Sequence, residues 1–133
     1  MRPPVPLEIA VLAWSAVLVV VQIVIAAQLG NRQYGLRWAG SARDTDAPPP
    51  GVLLGRARRA LANLLETYPA FAAAVLAVAV TQRFDMWSAV GAYLYLGARV
   101  VYLGLYLAGV PVLRSLVWNV ALVGIVLVLA QLL

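Results

Sequence analysis

Four long apolar stretches fill most of the chain, interrupted by one extended polar segment and two short polar turns. The first runs without a charge from Ile9 to Gly30, behind Pro3, Pro4 and Pro6. A bilayer is crossed by about 20 apolar residues in a helix, so the stretch predicts a spanning helix over about 7–29. Its length and the lone Arg2 before it argue against a cleaved signal peptide, which has a shorter apolar region behind a basic cluster. The second span is expected over about 56–81, with a local bend at Pro69, and the third over about 86–108, ended by Gly109 and Pro111. The fourth, about 112–133, follows so closely that the third and fourth must be antiparallel neighbours. The reading is a single-domain all-α membrane protein, a four-transmembrane-helix bundle, with its main extramembrane loop over about 31–55.

Charge placement orients this bundle. Seven arginines (Arg32, Arg37, Arg43, Arg56, Arg58, Arg59, Arg114) flank the long-loop side, two (Arg2, Arg83) flank the other, and Arg99 lies inside a span. Basic residues near span ends concentrate on the cytoplasmic side. The long loop is therefore expected in the cytoplasm and both termini on the opposite side. Trp14, Trp87 and Trp118 fit interfacial anchors.

Composition then narrows the chemistry. Hydrophobic residues make up 64% of the 133 residues and charged ones 11%, which leaves no room for a soluble catalytic domain. The net charge of +5 is scattered in single arginines and short groups, a poor basis for binding nucleic acid. With neither cysteine nor histidine, the chain offers no ordinary zinc or haem ligand set and no Ser-His-Asp triad, and no metal site is expected. Any chemistry rests on Arg, Tyr, Ser, Asn, Asp or Glu.

Two polar stripes stand out. In the second span Arg56, Arg59, Asn63 and Glu66 recur at spacings of three, four and three, and in the third Tyr95, Arg99, Tyr102 and Tyr106 at four, three and four. Such spacings keep each set on one side of a helix. Arg99 is the most informative position, because a central arginine costs about 2.5–3.5 kcal/mol on insertion scales and so faces the bundle interior with a partner. Glu66 is the expected partner, and a plain ion pair fixing helix register is the alternative to a functional role.

A single tyrosine would read as interhelical aromatic packing, a reading that three on the arginine face weaken, and Arg56, Arg58 and Arg59 can be a flank that sets topology and touches lipid phosphates. That flank reading suits Arg58 best. Arg114 and Ser115 open the fourth span at the level of Arg59, where free helix N–H groups and an arginine suit an anion or a thiolate. Together these residues offer cations, one carboxylate, one amide and phenols, the complement of a zwitterion of net negative charge. Glutathione carries that pattern, and a nearby cation makes its thiol nucleophilic.

The segment Arg59-Ala60-Leu61-Ala62-Asn63-Leu64-Leu65-Glu66-Thr67-Tyr68-Pro69 resembles the second-helix pattern R-A-x-x-N-x-x-E, with proline soon after, of the membrane-associated proteins in eicosanoid and glutathione metabolism, the MAPEG family. Arg99-Val100-Val101-Tyr102 with Tyr106, then Pro111, Arg114, Ser115 and Trp118, resembles the pattern across that family's last two helices. The resemblance implies a homotrimer with glutathione between neighbouring subunits, contacted at Arg59, Asn63, Glu66, Tyr102 and Tyr106. Arg99 joins this cofactor set by sharing the tyrosine stripe. Arg114 matches the arginine that stabilises the thiolate, and Ser115 a serine beside it in the prostaglandin synthase branch. A first-loop arginine also reaches the cofactor in the family, for which Arg32 is a candidate.

The prostaglandin E synthase branch has histidine where Tyr102 stands, tyrosine where Trp118 stands and arginine where Ala62 stands, which speaks against the eicosanoid reactions. The chain looks like the bacterial members, in an inner membrane. The expected function is a glutathione-dependent transferase or peroxidase, with a lipophilic small molecule arriving from the membrane lipids. A non-enzymatic lipid-binding or scaffold protein of the same fold is the competing expectation. A transporter subunit finds little support in four helices without an inverted repeat.

Overall fold

The computed structural model describes residues 1–133 as five helices and no strand. Helix α1 is Leu7–Tyr34, α2 Leu36–Ala39, α3 Val52–Thr81, α4 Met86–Ala108 and α5 Pro111–Ala130. All but the four-residue α2 are long and apolar enough to cross a membrane.

Each boundary has a local cause. Pro6 precedes α1, where a fixed φ suits a helix start, and Glu8 in the first turn meets the positive end of the helix dipole. Gly35, at φ 82°, ends α1 in a backbone region that favours glycine. Asp85 and Ser88 form a reciprocal capping box at the start of α4. Pro111 occupies the first turn of α5, where its missing N–H is no loss. Helix α3 is unbroken through Pro69.

The long loop is shorter than its composition indicates. Residues 31–34 continue α1, and α3 begins at Val52 rather than near Arg56. The remaining proline run is tied down: Gln33 Nε2 donates to the Pro49 carbonyl at 2.9 Å, Gly51 N–H donates to Gln33 Oε1 at 2.8 Å, and Tyr34 OH donates to the Pro48 carbonyl at 2.9 Å. Polar side chains at the end of α1 thus satisfy loop backbone groups, which extends the helix into a segment that reads as loop.

The interior joins three helices and touches the fourth. Leu64, Phe71, Val75 and Val78 of α3 meet Ala92, Tyr95 and Ala98 of α4, with Ala121, Ile125 and Val128 of α5 closing one side and Val11 of α1 the other. Phe71 stacks on Tyr95 with ring centroids 4.0 Å apart, and Thr67 Oγ1 lies 3.0 Å from Tyr95 OH. Helices α4 and α5 pack most extensively. Gly91 and Gly124 face each other there, and a Cβ built on either would lie 2.6 Å from the other's carbonyl oxygen. Lipid supplies no hydrophobic push between helices, so such close backbone approach is a main source of cohesion.

Only 25 of 133 residues are buried, and the outward surfaces of α1 and α5 are valine- and leucine-rich, as hydrocarbon requires. Trp14 and Trp87 are exposed. The end of the bundle away from the long loop is pinned separately: Ser88 Oγ donates to the buried carboxylate of Glu8, and Arg83 reaches the carbonyls of Gln131 and Leu132 at 3.4 Å.

Candidate functional site

At the long-loop end, side chains from α3, α4 and α5 converge. Tyr95, Arg99 and Tyr102 are all buried, because their stripe on α4 faces α3 and α5. Arg99 is fully buried, and its Nη1 donates to Asn63 Oδ1 at 2.9 Å. Its Nε and Nη2 have no protein partner. The guanidinium carbon lies 4.3 Å from the Tyr102 ring centroid, a cation–π arrangement that partly offsets desolvation.

The expected Arg99–Glu66 pair is not formed. Glu66 is exposed, and the amide of Asn63, one turn nearer the loop, takes the place at Arg99. The reason lies in helix geometry. At 100° per residue, Arg56 and Glu66 end about 80° apart around α3, so the apparent stripe spreads over most of a quadrant. Asn63 looks into the bundle, whereas Glu66 lies on its outer edge.

Arg56 leaves the cleft at the other edge of the same spread. Its Nη1 donates to the Leu107 carbonyl at 3.1 Å, and its guanidinium covers Gly109 in the α4–α5 turn. Arg59 remains with the set, its Nε donating to Tyr106 OH at 3.3 Å. Tyr102 and Tyr106 have ring centroids 5.6 Å apart, and the guanidinium carbon of Arg114 lies 4.4 Å from the Tyr106 ring centroid. The result is a ladder in which two adjacent phenols are capped by an arginine at each end, Arg99–Tyr102–Tyr106–Arg114, with Arg59 on the Tyr106 hydroxyl.

Tyr102 and Arg114 of this set line a cleft of about 340 Å³, together with Asn63, Ser115, Trp118 and Asn119. Ser115 reaches it with its donor engaged, since Oγ donates to the Pro111 carbonyl at 3.2 Å. Trp118 corrects one expectation. It stands seven residues beyond Pro111, lines the cleft rather than anchoring at the interface, and its buried Nε1 has no partner. Asn119 is a member the sequence reading missed. Its Nδ2 donates to the Ser115 carbonyl at 2.9 Å, and it is exposed on a helix that carries no charge after Arg114. Its spacing of four from Ser115 was the available signal.

A second cleft, about 320 Å³, lies between the end of α1, α2 and the start of α3. Arg58 sits 5.7 Å from the Tyr34 ring centroid and Arg43 5.3 Å from that of Trp38, with the two rings 4.7 Å apart. Arg58 is thus engaged with an aromatic pair rather than a simple flank, while Arg32 lies exposed in the last turn of α1.

An all-helical membrane bundle with an arginine-rich polar cleft at one end is the class of protein this fold and site define. The MAPEG family model matches residues 11–133, nearly the whole chain, and the protein belongs to the MAPEG family. No curated protein and no solved structure gave a match.

Proposed function

We propose that the protein is a membrane-bound glutathione-dependent transferase or peroxidase acting on lipophilic electrophiles or hydroperoxides. The observation that carries this reading is the contact chain Arg99–Tyr102–Tyr106–Arg114, with Arg59 on Tyr106, beside a cleft that Tyr102 and Arg114 line. The donor set fits the cofactor: Arg99 keeps two N–H-bearing nitrogens without a protein partner, and the phenols and Asn63 supply hydrogen bonds to carboxylate and amide groups. Family membership supports a glutathione-related role in general.

In this reading Arg59 and Arg99 hold carboxylates, Tyr102 and Tyr106 orient the backbone of the tripeptide, and Glu66 takes its ammonium. Arg114 stabilises the thiolate, since a fixed cation favours the ionised thiol, which is the nucleophile. Ser115 Oγ, with its own proton committed to Pro111, offers lone pairs to a thiol or water at the same level. The electrophile enters laterally from the bilayer, along the valine- and leucine-rich surface of α5.

The working unit is a homotrimer. Glu66 lies halfway along α3 and is exposed, and a charged side chain against hydrocarbon costs about 2.5–3.5 kcal/mol. A neighbouring subunit over the faces bearing Arg59, Glu66, Ser115 and Asn119 removes that penalty and closes the cleft. By the arginine count the long loop and the cleft face the cytoplasm of a bacterial inner membrane.

The test is calorimetric titration of the purified oligomer with glutathione, followed by turnover of a lipophilic electrophile by wild type and Arg114→Ala. Binding with loss of about 100-fold or more in kcat is expected, the size seen when a transition-state charge donor is removed. No binding, or full activity of the variant, sinks the proposal, and stabilisation by lipid alone would favour a non-enzymatic role.

A further inference from the structure

Arg56 was expected to reach the same ligand as Arg59, yet its guanidinium is spent on the turn that leads into α5. We propose that Arg56 is a positioning residue: it clamps the α4–α5 turn to α3 and so sets the placement of Arg114 over the cleft. The proposal rests on the reading that Arg114 holds the thiolate.

Three features of the turn support it. The last four carbonyls of a helix have no partner within it, and Arg56 Nη1 satisfies that of Leu107 at 3.1 Å from a different helix. Gly109 follows at φ 79°, a region that favours glycine. A Cβ there would also lie 2.5 Å from Arg56 Nη2, 2.7 Å from Cζ and 3.0 Å from Nη1, so the guanidinium packs directly against the glycine backbone. Arg56 and Gly109 therefore share one contact: a Cβ at position 109 displaces the end of the Arg56 side chain and is also strained at this φ.

That contact sits at the point of greatest influence. Pro111 begins α5 two residues after Gly109, and Arg114 follows within the first turn. Helix α5 has its tightest contact at Gly124, far from this end. With the clamp in place, Arg114 is held on Tyr106 and opposite Asn63. Without it the turn keeps its own backbone bonds, Gly109 N–H to Tyr106 and Val110 N–H to Leu105, but loses its tie to α3, and Arg114 shifts from the thiolate. Arg56 would thus govern the ionisation of the bound thiol without touching it.

The experiment compares Arg56→Gln, Arg56→Lys, Gly109→Ala and the double variant Arg56→Gln/Gly109→Ala as purified oligomers with glutathione bound. The readouts are the ultraviolet absorbance of the bound thiolate against pH, and kcat and KM for a lipophilic electrophile. Arg56→Gln and Gly109→Ala should each lower the thiolate signal at neutral pH and kcat by about tenfold, with KM for the electrophile within twofold of wild type. Gly109→Ala keeps every charge, so its agreement with Arg56→Gln marks a geometric effect. The double variant should lose less than the sum of the two single losses, as expected for two sides of one contact, with the strain of alanine at φ 79° remaining. Arg56→Lys, which retains a donor for Leu107, should recover part of the signal.

A wild-type thiolate signal in Gly109→Ala beside a lost one in Arg56→Gln would overturn the clamp in favour of direct charge, as would additive losses in the double variant. If Arg114→Ala keeps the signal, the parent reading fails. If Arg114→Ala abolishes it while Arg56→Gln and Gly109→Ala do not, only the positioning role fails.

Discussion

The guanidinium of Arg114 rests on the ring of Tyr106, its central carbon 4.4 Å from the ring centroid, while the hydroxyl of that tyrosine accepts a hydrogen bond from Arg59. One aromatic side chain thus spaces two cations that would otherwise repel, using its face for one and its edge oxygen for the other. The two functions separate by mutation. Tyr106→Phe removes the hydroxyl, which bonds Arg59 and in the proposed reading the tripeptide, and should weaken glutathione binding by about tenfold, the low end for a hydrogen bond to a charged group. Tyr106→Leu also removes the ring and should add a further loss of about 2- to 30-fold, the span of cation–π contributions. Titration calorimetry on both variants checks the order.

Asn63 and Glu66 make a second contrast. Asn63→Leu strands the buried Arg99 guanidinium and should lower the thermal midpoint in detergent markedly, since orphaning a buried hydrogen-bonded group costs about 1–3 kcal/mol or more when a charge is involved. Glu66→Gln breaks no bond to Arg99 and should leave the midpoint near wild type while raising the dissociation constant for glutathione about tenfold. Equal destabilisation by both would mean that Glu66 and Arg99 pair after all.

Gly91 and Gly124 predict a steric effect. Gly124→Ala pushes a methyl group against the Gly91 carbonyl and the Tyr95 amide, and overpacking of this kind costs about 1–3 kcal/mol. Gly97 and Gly104 on α4 have open space at the same position, so alanine there should not lower the midpoint. Circular dichroism melts of the three variants distinguish the two cases.

Trp118 carries a buried indole N–H with no acceptor. Trp118→Phe removes that donor along with one of the two indole rings and should leave the midpoint near wild type, because relief of an unsatisfied buried donor, a penalty of about 1–3 kcal/mol, offsets the lost packing. Its place in the cleft wall makes altered kcat/KM for the electrophile the accompanying expectation.

Most of the architecture was legible because hydropathy reports solvent directly. A run such as Ile9 to Gly30 admits no other stable environment, and the cost of Arg99 forces that residue inward wherever its partner lies. The stripe Tyr95–Arg99–Tyr102–Tyr106 also read correctly, since its members stay within about 60° of one another around α4. Periodicity could not say which neighbour each side chain meets. Arg56, Asn63 and Glu66 share a side of α3 only loosely, and small angular differences sent one to the α4–α5 turn, one to Arg99 and one to the outer surface. The tethered Pro48–Pro50 run was hidden for a similar reason, because it depends on Gln33 and Tyr34 reaching backbone groups 14 to 18 residues away.

The contact between Gly91 and Gly124 has a mechanical meaning for the cleft. Helix α5 is a lever with its pivot at Gly124, and Arg114 stands ten residues from it, about 15 Å along the axis at the helical rise. A small tilt about that pivot leaves the packed core almost still and moves the arginine most. In the proposed function the thiolate-stabilising group thus stands at the free end of a helical arm, and Arg56 on Gly109 is the latch there.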